Sequence, residues 1–409
     1  MEDRCIIVGG GHAGSQAAVS LRQEGYEGEI VLVDDEGELP YHKPPLSKSY
    51  LKSDDASSLM LRPQAAYDNA GVIRMAGVRA ERILPSQRRL QLAGGSMLDW
   101  TSLVLATGAR ARIPALPGVA LDGVFTLRRM DDARRIRAAI GTAGRVVIVG
   151  GGFIGMEMAH SCVGLGKATT LVEAAPRILA RSVAPAVSAH MEARSRAAGI
   201  DIRTDVQLAA IEGDGRVRAI VTASGDRLEA DMVILGIGAA PDVALAAEAG
   251  LALDNGIAVD GHLHTSVAGI YAIGDCASFE DRRAGRRIRL ESVQNATSQA
   301  RHVARVLAGK PQPYDEVAWF WSDQGDMKLQ TAGLAFEANR WVVSGKAEEN
   351  AFSVYHFDGA RLLAVDSVNR PAEHMVARNL LAAGIDPSED DIAAGPQHLK
   401  RLAAGRSGG

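Results

Sequence analysis

Cysteine, surplus positive charge and long apolar runs are scarce in this sequence of 409 residues. Cys5, Cys162 and Cys276 stand too far apart for a redox motif or a set of metal ligands, so we expect reduced thiols, no metal site and a cytoplasmic protein. The formal net charge of -4 argues against general nucleic-acid binding, which needs a basic face. No apolar run approaches the ~18 residues of a membrane span, and the first strand pattern begins too early to leave room for a signal peptide.

A glycine loop between an apolar run and a helix pattern is the first informative feature. Gly9, Gly11 and Gly14 form Gly-x-Gly-x-x-Gly directly after the strand pattern at residues 6–8. Such glycines allow a tight turn, close approach of a pyrophosphate and packing of the helix on its strand. About 20 residues further on, a second strand ends at Asp34 and Asp35, as expected for a carboxylate that binds a ribose. The pattern predicts a dinucleotide site; the alternative is a helix-capping loop without a ligand.

The same arrangement recurs in the middle of the chain. A strand pattern leads into Gly150, Gly152 and Gly155, a helix pattern follows, and the next strand pattern ends at Glu173. Two dinucleotide folds in one chain suggest two dinucleotides held for electron transfer. The repeat therefore predicts a flavoprotein that receives electrons from a nicotinamide.

The order of the patterns predicts an α/β protein with two Rossmann-like dinucleotide-binding domains, for FAD and NAD, and a C-terminal α+β domain. A turn-rich stretch after Gly108 marks the first boundary, and the strand pattern that ends at Gly274 and Asp275 returns to the first domain. Asp275 either accepts hydrogen bonds from a ribityl hydroxyl or is a turn aspartate. The expected ranges are 1–109 with 241–317 for FAD, 110–240 for NAD and 318–409 for the C-terminal domain.

Two further local patterns predict structure, one after the first acid and one in the C-terminal domain. Pro44 and Pro45 predict an extended loop before a helix capped by Ser47, and Lys48 is either solvated or held by a carboxylate beside a flavin. In the C-terminal domain, strand patterns cover 328–332, 340–344, 351–357 and 360–365, with a hairpin turn at 358–359. We expect a final helix at 372–383 and a disordered tail at 406–409.

Longer motifs in a fixed order cover nearly the whole chain. They are Tyr-x-x-Pro-Pro-Leu-Ser-Lys ending at Lys48, Ala-Thr-Gly at 106–108, Gly-Gly-Gly-Phe-Ile-Gly-x-Glu ending at Glu157, Tyr-Ala-x-Gly-Asp-Cys-Ala ending at Ala277, Glu-Ser-Val-Gln-Asn-Ala ending at Ala296 and Trp-Phe-Trp-Ser-Asp-Gln at 319–324. With these motifs the sequence resembles the oxygenase-coupled, FAD-containing, NADH-dependent ferredoxin reductases. That family includes putidaredoxin reductase and the reductase components of aromatic dioxygenases.

The resemblance implies an FAD site. The family acid aligns with Asp35 rather than Asp34. The sequence departs from the family at Lys43, where arginine is usual, and at His12, where leucine is commoner. The implied FAD residues are Gly9, Gly11, His12, Ala13, Gly14, Asp34, Asp35, Lys43, Pro45, Lys48, Ala80, Ala106, Thr107, Gly108, Arg128, Gly274, Asp275, Ser292, Val293, Gln294, Ala296 and Trp321.

The resemblance also implies an NADH site and three catalytic residues. Glu173 is expected to accept both ribose hydroxyls and to repel a 2'-phosphate, which favours NADH over NADPH, although the nearby Arg177 would soften that preference unless it is a solvated helix-end residue. Glu157 is expected to pair with Lys48, with Trp321 beside the flavin, and these three form the implied catalytic set. The implied NAD residues are Gly150, Gly152, Phe153, Ile154, Gly155, Glu157, Glu173, Gly236, Ile237 and Gly238.

In such a reductase, hydride passes from NADH to FAD, and single electrons then pass to an acceptor. The chain lacks the cysteine pair of disulfide reductases, so the acceptor is expected to be external: an acidic two-iron two-sulfur ferredoxin that feeds a haem monooxygenase, which we favour, or a ring-hydroxylating dioxygenase. Arginines crowd the loop between Asp275 and Val293, and this loop is either a docking patch or a solvated basic face. The expected docking residues are Arg283, Arg286, Arg287, Arg289, Trp319 and Lys328.

Other functions remain open at this point. An NADH oxidase or a monodehydroascorbate-type reductase would reduce oxygen or a small molecule directly. A rubredoxin reductase would reduce a different iron protein, and a signalling flavoprotein similar to apoptosis-inducing factor would reduce acceptors slowly. We expect a monomer or weak dimer.

Overall fold

A computed structural model describes residues 3–53 and 55–405, so the tail at 406–409, expected to be disordered, lies outside the described residues. The chain divides into two compact units. Unit 1 comprises residues 3–42, 55–110 and 240–316, and unit 2 comprises residues 43–53, 111–239 and 317–405. The segment from Lys43 to Ser53 therefore belongs to unit 2, although the sequence assigns it to the FAD range. The C-terminal segment also groups with the central one.

The strands in chain order are β1 Arg4–Val8, β2 Glu29–Asp34, β3 Val72–Ala76, β4 Ala80–Leu84, β5 Arg89–Leu92, β6 Met97–Asp99, β7 Ser102–Leu105, β8 Ala109–Ala111, β9 Val124–Phe125, β10 Arg145–Val149, β11 Ala168–Val172, β12 Ile200–Arg203, β13 Leu208–Asp214, β14 Arg216–Thr222, β15 Arg227–Glu229, β16 Met232–Leu235, β17 Ala239–Pro241, β18 Ile257–Ala258, β19 Ile270–Ala272, β20 Ala277–Asp281, β21 Arg286–Ile288, β22 Trp319–Gln324, β23 Met327–Gly333, β24 Arg340–Lys346, β25 Ala351–Asp358 and β26 Arg361–Val368.

The α-helices are α1 His12–Glu24, α2 Gln64–Asn69, α3 Met130–Ile140, α4 Phe153–Gly164, α5 Pro185–Ala197, α6 Ala244–Glu248, α7 Val293–Leu307, α8 Pro371–Ala383, α9 Glu389–Ala393 and α10 Pro396–Ala404. None of the helices in the described part of the chain combines the length and the apolar character that crossing a membrane requires.

Unit 1 is built on a parallel sheet with the strand order β19-β7-β1-β2-β3. Strands β1, β2 and β7 are rich in Val, Ile and Leu and, with β19, are largely buried, as expected when both faces of a sheet are covered, whereas the edge strand β3 is partly exposed. Val8 pairs with Val33 on one side and with Leu105 on the other, which brings the ends of three strands together. The return of β19 to this sheet confirms the prediction that residues 269–273 rejoin the first fold. Helix α1 follows β1 directly and packs against α7.

Unit 2 contains a second parallel sheet, with the order β12-β11-β10-β16-β9. Val149 pairs with Val172 and with Leu235, the same arrangement that Val8 has in unit 1. The C-terminal segment adds an antiparallel sheet of order β22-β23-β26-β25-β24, against which α8 packs. The predicted α/β fold with an α+β C-terminal segment is confirmed.

Some elements differ from the sequence prediction. The strand β22 lies where no separate strand was predicted, and two short helices, α9 and α10, follow the helix that was expected to be the last. The segment after Pro44 forms two 3-10 turns, Pro44–Ser47 and Ser49–Leu51, instead of an extended loop and a capped helix. Ser47 caps neither turn, so that prediction is wrong: its hydroxyl donates to the carboxylate of Glu157.

Candidate active site

The first glycine loop can only be built from glycine at its turning points. Gly9 has φ +111°, and a Cβ there would lie 2.3 Å from the carbonyl oxygen of Ala106. A Cβ on Gly14 would lie 1.8 Å from the carbonyl oxygen of Gly9. The loop is held by the Gly9 amide, which donates to the carbonyl of Val33 at 2.8 Å. These contacts place the start of α1 against the ends of β1 and β2.

The N-terminus of α1 is open to an anionic ligand. Gly11 is its N-cap, and among the described residues no side chain caps the helix and no acidic residue lies in its first turn. The free N–H groups of a first helical turn carry a partial positive charge and bind phosphate. The cradle therefore fits the pyrophosphate of a dinucleotide.

The two acidic residues after β2 have different surroundings. The carboxylate of Asp34 accepts the backbone N–H of Gly10, and burial raises the pKa of this carboxyl group. A Cβ on Gly10 would lie 2.1 Å from Asp34 Oδ2, so the two residues are in close contact. Asp35 is exposed. Asp34 thus braces the loop, while Asp35 faces outward.

Several of the other sequence-predicted FAD residues of unit 1 hold the backbone around the loop. Thr107 Oγ1 donates to the carbonyl of Asp242 at 2.6 Å, and Gly108 has φ +70°. The amide of Gly274 donates to Gln299 Oε1 at 2.7 Å, and a Cβ there would lie 3.0 Å from the Cβ of Ala13. Ser292 caps α7 by accepting the amide N–H of Asn295 at 3.1 Å.

The rest of that set lies on the same elements. Val293 begins α7 and is half-buried, Ala296 is buried one turn further on, and Gln294 donates to Ser298 at 3.0 Å. Ala80 begins β4 and is buried, as is Ala106. The ring of His12 lies 5.4 Å from that of His42, centroid to centroid. The carbonyl of Asp275, in the short 3-10 turn after β19, accepts a hydrogen bond from Arg289 at 3.1 Å.

The second glycine loop has the same construction. Gly150 has φ +107°, a Cβ there would lie 2.4 Å from the carbonyl oxygen of Gly236, and its amide donates to Val172 at 2.8 Å. A Cβ on Gly155 would lie 1.9 Å from the carbonyl oxygen of Gly150. Gly152 caps α4 without a capping side chain in the described residues. This second cradle also fits a pyrophosphate.

Glu173 takes the place that Asp34 has in the first loop. Its carboxylate accepts the backbone N–H of Gly151 and, at 2.8 Å, that of Ala175. Arg177 donates to the backbone carbonyls of Ala180 at 2.6 Å and Val183 at 3.1 Å. The guanidinium is therefore engaged within its own loop, and this contact was not foreseen from the sequence.

The remaining predicted NAD residues border this loop. Phe153 packs its ring 4.4 Å from that of Phe320, and Ile154 is exposed. The amide of Gly236 donates to the carbonyl of Val149 at 2.7 Å, Ile237 follows, and Gly238 has φ +106°. Strand β16 thus ends beside the glycine loop, as β7 does in unit 1.

Unit 2 contains the ion pair expected between Lys48 and Glu157. Lys48 Nζ lies 2.8 Å from Glu157 Oε1, and Glu157 is 4% exposed against 22% for Lys48. Ser47 Oγ donates to Oε2 at 2.5 Å and Ser322 Oγ to Oε1 at 2.6 Å. A buried charge is tolerated when it is paired and hydrogen-bonded, and this carboxylate has three donors. The two serines were missed from the sequence because they lie 110 and 165 residues from Glu157.

Neighbouring predicted residues of unit 2 lie on short elements. Lys43 and Pro45 are half-buried at the first 3-10 turn. The Arg128 amide donates to Asp132 Oδ2 at 2.9 Å before α3. Trp321 lies on β22 and is partly exposed, with its ring 5.6 Å from that of Trp319.

Trp319 belongs to a face of unit 2 that combines aromatic and cationic side chains. The guanidinium of Arg378 lies 4.5 Å from the centroid of its ring, and His374 packs 5.7 Å away, edge to face. Lys328 is exposed on the adjoining strand β23. Burial, with the charges of Arg378 and Lys328, lowers the pKa of His374 to about 4. The basic side chains therefore supply the charge of this face at neutral pH, and His374 is neutral.

The arginine-rich loop of unit 1 carries less unpaired positive charge than its sequence suggests. Arg283 pairs with Asp315 at 2.5 Å. Arg287 lies 3.6 Å from Glu280 and 3.7 Å from Asp254 and donates to the carbonyl of Ser278. Arg289 pairs with Glu291 at 2.6 Å and is only 8% exposed. These acidic partners were not foreseen, and only Arg282 and Arg286 of the five arginines keep exposed side chains.

Comparison with known proteins agrees with this architecture. Residues 3–300 match the pyridine nucleotide-disulphide oxidoreductase family, and residues 319–403 match a reductase C-terminal domain. Rhodocoxin reductase of Rhodococcus erythropolis is 41% identical over 98% of this chain and 94% of its own length. Rubredoxin-NAD(+) reductase of Pseudomonas putida is 39% identical over 90% of this chain and 96% of its own length.

A solved structure has a similar sequence identity to this chain. The ferredoxin reductase for the CYP199A2 system of Rhodopseudomonas palustris superposes with a TM-score of 0.95 at 42% identity, covering 98% of this chain and 100% of that one. The first matched range contains both glycine cradles, and the second contains the C-terminal sheet and α8. This chain therefore belongs to the FAD-dependent pyridine nucleotide-disulphide oxidoreductases, in the group of NAD(P)H-linked reductases that carry the reductase C-terminal domain.

Proposed function

We propose that this chain is an NADH-dependent ferredoxin reductase whose two-iron two-sulfur ferredoxin feeds an oxygenase. The observation that carries the proposal is the pair of glycine cradles, each fitted to a dinucleotide, in a chain of which 98% superposes on a ferredoxin reductase. Bound FAD would accept two electrons from NADH and release them singly to an iron-sulfur acceptor. The protein's own residues would bind and orient the two cofactors and set the charge around them.

In unit 1, the α1 cradle would hold the FAD pyrophosphate. The amides of Gly11 and of the first turn of α1 are the donors, and Asp34 fixes the loop that presents them. Asp35, exposed beside it, would accept hydrogen bonds from a ribose. Asp275 and the start of α7 at Val293 would complete the FAD contacts of this unit.

In unit 2, the α4 cradle would hold the NADH pyrophosphate, and Glu173 would select NADH. Its carboxylate is fixed by two backbone N–H groups, so it cannot swing away from a ribose to admit a phosphate without losing both. A 2'-phosphate beside it would meet a like charge. The engagement of Arg177 with backbone carbonyls supports a strict rather than a relaxed preference.

Lys48 would supply a fixed positive charge beside the redox chemistry. Glu157 and the two serines that bind it hold the ammonium group at a defined position. A cation there favours a cofactor that gains negative charge when it is reduced. Trp321 would cover the site from β22. In these roles Lys48 and Trp321 would contact a cofactor, and Glu157 would position Lys48.

The ferredoxin would dock on basic and aromatic side chains. Trp319 with Arg378 stacked on it, and the exposed Lys328, offer a flat aromatic surface with two positive charges. Such a surface attracts an acidic protein and steers its approach. Exposed Arg282 and Arg286 are the further candidates in unit 1, with Arg283, Arg287 and Arg289 as supports that order the loop.

A rubredoxin reductase is the second candidate, because a relative with that name is nearly as similar. Single-turnover kinetics separates the two. The protein is reduced anaerobically with one equivalent of NADH and mixed with a two-iron ferredoxin, a rubredoxin or oxygen. We expect the ferredoxin to reoxidise the protein faster than either alternative. Faster reoxidation by oxygen than by both iron proteins would instead identify an NADH oxidase.

A further inference from the structure

Three metal-ligating side chains converge on one turn of unit 1. The carboxylate of Asp260 and the imidazoles of His262 and His264 each offer a ligand atom, and these atoms all lie within 4.8 Å of one another. None of the three residues belongs to the sets proposed to bind FAD, NADH or ferredoxin. The cluster contains no cysteine, so the cysteine spacing of the sequence does not indicate it.

The turn that presents these side chains is rigidly built. Asp260 Oδ1 accepts the backbone N–H of His262 at 2.8 Å and that of His264 at 2.9 Å. Between the two histidines, Leu263 is completely buried and adopts φ +66°, a conformation that is uncommon for a residue with a Cβ. The buried leucine anchors the turn in the core, and the histidines that flank it emerge on the accessible side.

The spacing of the ligand atoms is close to that of a zinc site. Asp260 Oδ2 lies 3.3 Å from His264 Nδ1, which is long for a hydrogen bond between charged groups. Two ligands of a tetrahedral zinc ion with bonds of 2.0–2.1 Å are also about 3.3 Å apart. The His262 and His264 rings lie 6.1 Å apart, centroid to centroid, and each offers a nitrogen within 4.8 Å of the other ligand atoms.

The chemistry of the side chains is also suitable. Burial acts to raise the pKa of Asp260, but the N–H groups of His264 and His262 outweigh it and lower the pKa. Tyr271 stacks on His264 at 4.7 Å and limits its rotation. Imidazole with carboxylate is a ligand set that favours zinc and its neighbours over magnesium or calcium.

We propose that Asp260, His262 and His264 form a binding site for a divalent transition metal of the zinc type, with water completing the coordination. Tyr271 lies on β19, so a bound ion would tie the 260–264 turn to the strand that leads into Gly274 and Asp275.

Calorimetric titration of the holoenzyme with Zn²⁺ at neutral pH, in a buffer free of chelators, tests the proposal. We expect one Zn²⁺ per chain, a raised Tm in its presence and no comparable binding of Mg²⁺. The variant His262→Gln/His264→Gln is expected to lose at least about tenfold in Zn²⁺ affinity, the loss reported even for weaker changes around a metal.

His398→Gln is the matched control, because His398 also pairs with an aspartate, Asp391, but without a second histidine among the described metal-ligating groups. Its Zn²⁺ affinity is expected to equal that of the unaltered protein. The FAD content of each variant shows whether it has folded. Absence of Zn²⁺ binding by the unaltered protein, equal binding of Mg²⁺, or an undiminished affinity in a double variant that retains its FAD would each overturn the proposal.

Discussion

The two glycine loops have one backbone plan and differ in the side chains that surround it. In both, the first glycine adopts a positive φ and donates to the end of the second strand. A Cβ on the third glycine, Gly14 or Gly155, would clash with the carbonyl oxygen of the first. The acid differs in length: Asp34 accepts the backbone N–H groups of Gly10 and Glu36, whereas the longer Glu173 accepts those of Gly151 and Ala175. The shared plan binds a pyrophosphate, and the differing acids can select between dinucleotides.

The helices that follow the loops differ at an equivalent position. Gln16 of α1 is a buried amide that donates to Ser20 at 2.7 Å and accepts from Arg62 at 2.6 Å. Glu157 of α4, two residues after the last glycine as Gln16 is, is a buried carboxylate paired with Lys48. Each side chain therefore binds a cation, but only the carboxylate of Glu157 also supplies a countercharge. This contrast suggests that the second helix serves the chemistry as well as the binding.

The largest effect is expected from adding a Cβ to either loop. Gly9→Ala should reduce the FAD content of the purified protein more than about tenfold, because the new atom would meet a backbone carbonyl at 2.3 Å in a strained conformation. Gly150→Ala should retain FAD and raise the KM for NADH by a similar factor. Flavin absorbance and steady-state kinetics measure the two results.

Gly37→Ala is the control for both loop variants, since Gly37 has open space around its Cβ position and should tolerate alanine. If Gly9→Ala kept its FAD and lost NADH binding instead, the assignment of the two loops would have to be reversed.

Glu157→Gln makes the second helix resemble the first. It leaves the Lys48 ammonium without a countercharge, and the free energy of unfolding should fall by about 3 kcal/mol, the low end for a broken buried ion pair, because Lys48 remains partly exposed. Ser322→Ala removes one hydrogen bond from the same carboxylate and should cost about 1 kcal/mol. Urea unfolding of both variants measures the difference, and equal losses would mean that the charge of Glu157 is unimportant.

Glu173→Ala should bring the second loop closer to accepting a phosphorylated ribose. Removing a like charge worth several kcal/mol should shift the ratio of kcat/KM for NADH and NADPH by at least about tenfold toward NADPH. Glu173→Gln keeps an acceptor for the N–H groups of Gly151 and Ala175 and separates the effect of charge from that of loop structure. An unchanged ratio in both variants would refute the role given to this carboxylate.

The smallest effect is expected outside both loops. Arg378→Gln removes one positive charge from the face around Trp319 and should lower the rate of ferredoxin reduction a few-fold at low salt, with a weaker dependence on ionic strength. Its FAD content and its KM for NADH should not change. Arg401→Gln, on the last turn of α10, is the control. Equal rates in the two variants would remove this face from the docking proposal.

The sequence predicts best those features that depend on near neighbours. Both glycine loops, the strands on either side of them and the acid that follows could be read from apolar runs and glycine spacing, because each is fixed within about 30 residues of chain. The return of β19 to the first sheet was also predictable, since its Gly-Asp ending matched the family motif.

Contacts between distant segments could not be predicted in the same way. Ser47 and Ser322 reach Glu157 across 110 and 165 residues, and nothing in their local sequence distinguishes them from surface serines. Likewise, Arg283 pairs with Asp315, which lies 32 residues further along the chain. The resemblance to a family supplied the pair of Lys48 and Glu157, which the residues alone left open.

The central claim is that unit 1 holds FAD and unit 2 binds the NADH that reduces it. Anaerobic titration of the purified protein with NADH, followed by its visible spectrum, tests this claim directly. We expect a yellow protein whose flavin bands are bleached by one equivalent of NADH and return when oxidised ferredoxin is added. A colourless protein that takes up no FAD, or flavin bands that NADH leaves unchanged, would contradict it.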